Sequence, residues 1–101
     1  MRKFAIIQMG TYYEPEKHHA CFSMPDFESH SLTVRNMEEA LALVKKLYEE
    51  GFRAVELCGA FGEANARKIM ETMEGKMVVG YVIGFPEQAE LTARYWSGEE
   101  I

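Results

Sequence analysis

The hydrophobic positions along the chain predict five strands. Short apolar runs that are bounded by glycine, proline or polar loops are typical of strands in a buried sheet. The second and third strands are predicted from a turn around Pro25-Asp26, which indicates a β-hairpin, and from Leu32, Thr33 and Val34, which favour extended structure. The five predicted strands are residues 4–9, 19–24, 29–35, 53–58 and 77–83.

Apolar residues at helical spacing predict three helices, one after each of the third, fourth and fifth predicted strands. The first helix is capped by Asn36, with Glu39 three residues on as in a capping box, and it ends at Gly51. The second helix follows a glycine-flanked loop at 59–62, and the third begins at Pro86. The element order is therefore β-β-β-α-β-α-β-α.

This order predicts one compact α/β domain over residues 1–101, with a mixed, mainly parallel sheet of about five strands and three helices. Strands joined by helices run parallel through right-handed crossovers, whereas the hairpin contributes an antiparallel strand. If the first strand is parallel as well, four loops meet at the carboxyl edge of the sheet, where open α/β sheets bind ligands. These loops are 10–18, 35–36, 58–62 and 84–86.

Composition narrows the function classes. The net charge of −5 and the absence of a basic cluster longer than two residues predict no nucleic-acid partner. No apolar run approaches the ~20 residues that cross a bilayer, and no export signal is visible, so we expect no membrane partner and a cytoplasmic location. Seven methionines, six phenylalanines and five tyrosines favour a homo-oligomer.

Most of the candidate chemistry lies between Glu56 and Gly62. Gly59 and Gly62 flank a turn from strand to helix, and the free N–H groups of a helix N-terminus suit an anionic ligand. The spacing matches neither the dinucleotide fingerprint nor a P-loop. Cys58, close to the same N-terminus, is a candidate nucleophile, although free cysteines often only pack in cores.

Further candidates lie near the same edge. Glu56 interrupts an apolar strand, so it is either an acid–base group or a residue on a partly open face. His18 is predicted beside Arg35, where an imidazole could transfer a proton and a guanidinium could bind a carboxylate. Tyr12 and Gly84 complete the predicted pocket mouth, although each of these residues could equally be an ordinary solvated loop residue.

The histidines and Cys21 do not predict a metal site. A hairpin register in which Ser23 faces His30 separates His19 from His30 by ~13 Å and makes Cys21 a diagonal neighbour of His30. One ion cannot bridge that separation with bonds near ~2 Å. We therefore expect no metal and no cofactor.

Three segments give the chain a family resemblance. They are Glu56-Leu57-Cys58-Gly59-Ala60-Phe61-Gly62, Pro15-Glu16-Lys17-His18 and Val79-Gly80-Tyr81-Val82. With these segments the chain resembles a family of short bacterial proteins whose domain has no known function. The resemblance implies a small cytoplasmic bacterial protein, and it brings no catalytic residues with it.

Three functions follow from these residues. The first is binding of a small acidic metabolite at the carboxyl edge near residues 59–62. The second is an enzyme that uses Cys58 with Glu56 or His18 as its partner. The third is a structural subunit of a homo-oligomer.

Overall fold

The computed structural model describes residues 1–101, and its elements follow the predicted order. A five-stranded mixed sheet and three α-helices confirm the predicted α/β class. The strands are β1 (Arg2–Met9), β2 (Ala20–Met24), β3 (Phe27–Val34), β4 (Ala54–Leu57) and β5 (Val78–Tyr81). The helices are α1 (Met37–Glu49), α2 (Gly62–Thr72) and α3 (Ala89–Trp96), the last preceded by a 3-10 turn at Pro86–Gln88.

The strand order in the sheet is β2-β3-β1-β4-β5. β1 lies in the centre and runs parallel to both β3 and β4, β5 is parallel to β4, and only β2 is antiparallel to its neighbour. The sequence left the direction of the first strand open, and the structure shows that it is parallel to both neighbours. The carboxyl ends of β1, β3, β4 and β5 consequently lie at one edge of the sheet.

The hairpin register differs from the prediction. Met24 pairs with Phe27, so the turn holds only Pro25 and Asp26, and Cys21 lies directly opposite His30. The predicted pairing of Ser23 with His30 is wrong by two residues. The reason is that β3 begins at Phe27, where its first residues already pair with the start of β1.

Helices α1 and α2 cover one face of the sheet and form the core with it. Ala5 and Ile7 on β1 pair with Val55 and Leu57 on β4, and all four side chains are buried. Burying an aliphatic side chain of this size stabilises a fold by roughly 1.5–3 kcal/mol. The helices complete the same cluster with Ala40, Val44, Leu47, Ala66 and Ile69.

The opposite face of the sheet and the C-terminal segment are not covered by any element. Phe22 and Val78 on the open face are each 70% exposed. No residue of α3 is buried, and Trp96 is 73% exposed. The radius of gyration is 14.5 Å, compared with about 13 Å for a compact chain of 100 residues, because α3 projects from the domain.

The start of α1 has the predicted cap. Asn36 Oδ1 accepts a hydrogen bond from the backbone N–H of Glu39 at 2.9 Å. The Glu39 carboxylate accepts from the backbone N–H of Arg35 at 2.8 Å and from its guanidinium at 2.6 Å. The guanidinium hydrogen bond, followed by the backbone one, holds the pKa of Glu39 below its ordinary range.

We expect Asn36→Ala to lower the free energy of unfolding by about 1 kcal/mol, because the Glu39 N–H loses its acceptor. Urea denaturation followed by circular dichroism measures this change. Asn36→Ser, which restores an acceptor oxygen, is the matched control and should remain close to wild type. Equal destabilisation by both substitutions would contradict the capping role.

We expect the stability difference between wild type and Glu39→Gln to depend on pH. Because the pKa of Glu39 is lowered in the folded state, its ionised form stabilises the fold above the ordinary carboxyl pKa of about 4.3. That contribution is lost as the pH falls through the lower folded value. Melting temperatures from neutral to acidic pH should therefore converge at the acidic end, whereas a gap that stays constant would contradict the pairing. Glu38→Gln, which removes a carboxylate without an arginine partner, is the control.

Candidate functional site

A cavity of about 800 Å³ lies at the carboxyl edge of the sheet. Its wall is formed by the end of β1, the loop after β4, the segment after β5 and one side of α3. Five of the residues singled out in the sequence lie in this wall: Tyr12, Cys58, Gly59, Gly62 and Gly84. The wall also contains Gln8, Met9, Tyr13, Ala60, Glu63, Tyr81, Val82, Ile83, Thr92 and Trp96.

The loop after β4 is shaped by local hydrogen bonds. The N–H of Phe61 donates to the carbonyl of Cys58 at 3.1 Å, and the N–H of Gly62 donates to the carbonyl of Gly59 at 3.3 Å. Phe61 is buried in the core and anchors the loop. Gly62 has a φ of 70° at the first residue of α2, a left-handed conformation that favours glycine. These constraints turn the chain sharply from strand to helix beside the cavity.

Cys58 lies between the core and the cavity. Its Sγ accepts a hydrogen bond from the backbone N–H of Met9 at 3.4 Å, and the side chain packs against the buried cluster. No histidine, lysine or arginine lies in the cavity wall. The thiol therefore faces the cavity with no histidine or lysine beside it, and the one carboxylate in the wall, Glu63, pairs with Arg67.

A tyrosine pair forms another part of the wall. The rings of Tyr12 and Tyr13 are 4.8 Å apart, and the Tyr13 hydroxyl donates to Gln8 Oε1 at 3.2 Å. Partial burial, followed by the neighbouring Tyr12, raises the pKa of Tyr13 above its ordinary value. The Tyr13 phenol is thus a hydrogen-bond donor at neutral pH and not a base. A Cβ at Gly10 would lie 2.8 Å from the Tyr12 ring, so the glycine allows this ring to lie over the backbone.

Glu56 and Arg35 do not line the cavity. Glu56 is exposed on the open face of the sheet, where its Cγ lies 3.6 Å from the position a Cβ would take at Gly80. This placement matches the alternative of a partly open face. The Arg35 guanidinium is bound by the carboxylate of Glu39, so it does not provide a clamp for a ligand at the cavity.

His18 lies outside the cavity wall, next to Tyr13. Its Nδ1 accepts from the backbone N–H of Glu14 at 2.9 Å, and its ring meets the Tyr13 ring edge-on at 6.0 Å. Its carbonyl accepts from the Thr33 hydroxyl at 2.7 Å. His18 is therefore beside Thr33 and not beside Arg35, and the predicted neighbour is wrong because of the two-residue shift in register.

The sequence did not single out several residues of the wall. Gln8 and Tyr81 lie at or next to the carboxyl ends of β1 and β5, and this position is the sequence signal that marks them. Thr92 and Trp96 belong to α3, and no sequence signal states where this helix lies relative to the sheet. Glu63 is the only charged side chain in the wall, and it pairs with Arg67 at 3.1 Å.

The arrangement therefore offers aromatic faces, aliphatic surface and a few hydrogen-bonding groups. Nine of the fifteen wall residues are hydrophobic. Such a wall can enclose a flat apolar body and orient it through one or two polar contacts.

None of the helices is long and apolar enough to span a bilayer.

Comparison with known proteins assigns the chain to a family. A family model described as a family of unknown function, DUF6506, matches residues 2–97. No curated protein and no solved structure matches the chain. The matched range runs from the first residue of β1 past the end of α3, so it contains every element of the fold. The chain belongs to DUF6506, a family whose function is unknown.

Proposed function

We propose that the cavity at the carboxyl edge binds a small metabolite with a flat, largely apolar body and one polar end. The observation that carries this proposal is the aromatic, mainly apolar wall around a volume of about 800 Å³. Ligand sites typically enclose ~300–1,000 Å³ and combine apolar walls with a few polar groups. The location at the carboxyl edge fits the general rule for open α/β sheets.

The apolar body of the ligand lies against aromatic side chains. Tyr12, Tyr81 and Trp96 are each partly exposed and each lies in the wall, on three separate segments of the chain. A planar molecule can contact all three segments at once, and an aromatic contact contributes about 0.5–1.5 kcal/mol beyond the area it buries.

The polar end of the ligand faces hydrogen-bond donors and not a cation. Tyr13 uses its hydroxyl on Gln8 Oε1, which leaves the Gln8 amide N–H groups as donors. Backbone N–H groups at the start of α2 lie on another side of the same cavity. The acidic metabolite proposed from the sequence therefore carries at most a single carboxylate, because Arg35 lies elsewhere and Glu63 disfavours further negative charge.

An enzyme that uses Cys58 with Glu56 or His18 has less support. Cys58 is in the wall, but Glu56 lies on the open face and His18 lies outside the wall. The two partners predicted for the thiol are therefore not positioned to act as its base. Changing Cys58 therefore separates the two functions.

We expect aromatic carboxylates and their matched carboxamides to bind, and inorganic phosphate not to bind. Trp96 is the only tryptophan and lies in the wall, so its fluorescence reports occupancy directly. Tyr12→Ala should weaken binding about 2–10-fold through the lost aromatic contact. Thermal unfolding with the same compounds provides a second measurement.

The controls distinguish binding from thiol chemistry. Phe22→Ala changes an equally exposed aromatic residue on the open face and should leave affinity unchanged. Cys58→Ser should also retain binding. A fluorescence change that is lost in Cys58→Ser but kept in Tyr12→Ala would favour the enzyme, and no change with any compound would refute the binding proposal.

Self-association is a second proposal, supported by the uncovered apolar surface. Phe22 and Val78 lie on the open face of the sheet, and Ile83 and Phe85 lie on the segment that leads to α3. Phe22 and Val78 lie on the two edge strands of this face, and an uncovered sheet face with exposed apolar residues across its width is typical of an interaction surface. A second copy that packs on the open face would cover them, which makes the chain a homo-oligomer.

A cytoplasmic location is also part of the proposal. Cys21 and Cys58 are both free thiols, which is typical of proteins kept in a reducing compartment. The bacterial origin implied by the family resemblance stays a prediction.

We expect the purified chain to sediment at a multiple of 11.6 kDa. Val78→Glu should shift the equilibrium towards monomer, because it places a charge at an exposed apolar position on β5, at one edge of the open face. Lys68→Gln, on the outer surface of α2, changes the net charge by the same amount and should leave the mass unchanged. A monomeric wild type, or equal effects of the two substitutions, would refute the interface.

A further inference from the structure

Three potential metal ligands meet on the hairpin formed by β2 and β3. Cys21 and His30 are directly opposite each other, and Glu28 lies two residues before His30 on the same face of β3. One ligand atom from each residue lies within 4.8 Å of the other two. The cluster is separate from the cavity, which involves β1, β4 and β5.

The observed hairpin register differs from the predicted one, in which these residues could not share a metal ion. With Ser23 opposite His30, Cys21 would be only a diagonal neighbour of His30, and Glu28 would lie in the turn and not on the strand. The observed two-residue turn moves Cys21 next to His30 and brings in Glu28. Neither His18 nor His19 is needed for this set.

The thiol and the carboxylate approach the same nitrogen of His30. His30 Nε2 lies 3.5 Å from Cys21 Sγ and 3.0 Å from Glu28 Oε1. A cysteine–histidine–carboxylate relay requires the thiol and the carboxylate to bind different ring nitrogens. Here both approach Nε2, so the geometry does not fit a relay, but it does fit ligands arranged around a common ion.

The distances match tetrahedral coordination. Zinc bonds of about 2.3 Å to sulfur and about 2.0–2.1 Å to nitrogen or oxygen place sulfur and nitrogen about 3.6 Å apart, and nitrogen and oxygen about 3.4 Å apart. The observed separations are 3.5 Å and 3.0 Å. An opening of a few tenths of an ångström between Glu28 and His30 would accommodate the ion.

The surroundings hold the imidazole and leave the carboxylate available. The His30 ring packs edge-on against Phe52 with centroids 5.0 Å apart, and Phe52 is buried. Lys3 is the register partner of Glu28, but its ammonium donates to the carbonyl of Glu50 at 2.9 Å. No lysine or arginine forms an ion pair with Glu28, whose ionic partner is His30.

We propose that Cys21, Glu28 and His30 bind a zinc ion, with a water molecule in the fourth position. A thiolate and a carboxylate balance the charge of the ion, and a sulfur ligand favours zinc over magnesium or calcium. Cys21 is exposed, so an ion reaches the site from solvent. Binding releases the thiol proton, because the thiolate is the ligand.

Titration of the reduced, tag-free chain with Co²⁺ tests this site. Bound cobalt reports a thiolate ligand through its charge-transfer band and a tetrahedral site through its visible bands. We expect one ion per chain, displaced by Zn²⁺, and no charge-transfer band in Cys21→Ser. His30→Gln and Glu28→Gln should each weaken the affinity at least about tenfold.

Matched variants keep the test specific. Cys58→Ser removes the other thiol and His19→Gln removes an exposed histidine, and both should bind cobalt as wild type does. Circular dichroism verifies that each variant is folded, and Zn²⁺ should raise the melting temperature of wild type and Cys58→Ser but not of Cys21→Ser. A charge-transfer band that survives in Cys21→Ser, disappears in Cys58→Ser, corresponds to one ion per two chains or never forms would overturn the proposal.

Discussion

The structure depends on the pairing of β1 with strands on both of its sides. Ile7 is opposite Leu32 on β3 and opposite Leu57 on β4, and the parallel hydrogen bonds on both sides keep the three strands aligned. A shift of one residue would turn Ala5 and Ile7 away from the helices and expose the core. The same alignment brings the ends of the parallel strands to one edge and sets where the hairpin begins. The core, the cavity and the group formed by Cys21, Glu28 and His30 on the hairpin thus all depend on the register of β1 with its neighbours.

The features encoded by neighbouring residues could be predicted from the sequence. The cap of α1 needs only Asn36 and Glu39, because a capping box is completed within a single turn of helix. Element order and crossover handedness predict the carboxyl edge once the first strand is taken as parallel, and this edge brings Tyr12 and Cys58 near one another. Their position in the cavity wall agrees with that placement.

The features that the sequence did not predict depend on contacts between residues that are distant along the chain. A turn around Pro25-Asp26 is compatible with two lengths, and the choice between them is made where the start of β3 pairs with β1. That choice decides whether Cys21 meets His30 and whether His18 lies beside Arg35. Likewise, the strand predicted over 77–83 ends at Tyr81, because β4, its only partner, ends at Leu57. The hydrophobic pattern of one strand does not contain the length of the strand that pairs with it.

The helix α3 forms one side of the cavity without being part of the core. With no buried residue of its own, it should open at a free energy far below that of global unfolding, and its amide hydrogens should exchange well before those of β1. A ligand that contacts Trp96 and the loop with Tyr12 and Tyr13 would hold this helix against the sheet. The ordering of the helix would reduce the observed binding free energy. Occupancy of the cavity would then be recorded most clearly as slower exchange at the C-terminal end of the chain.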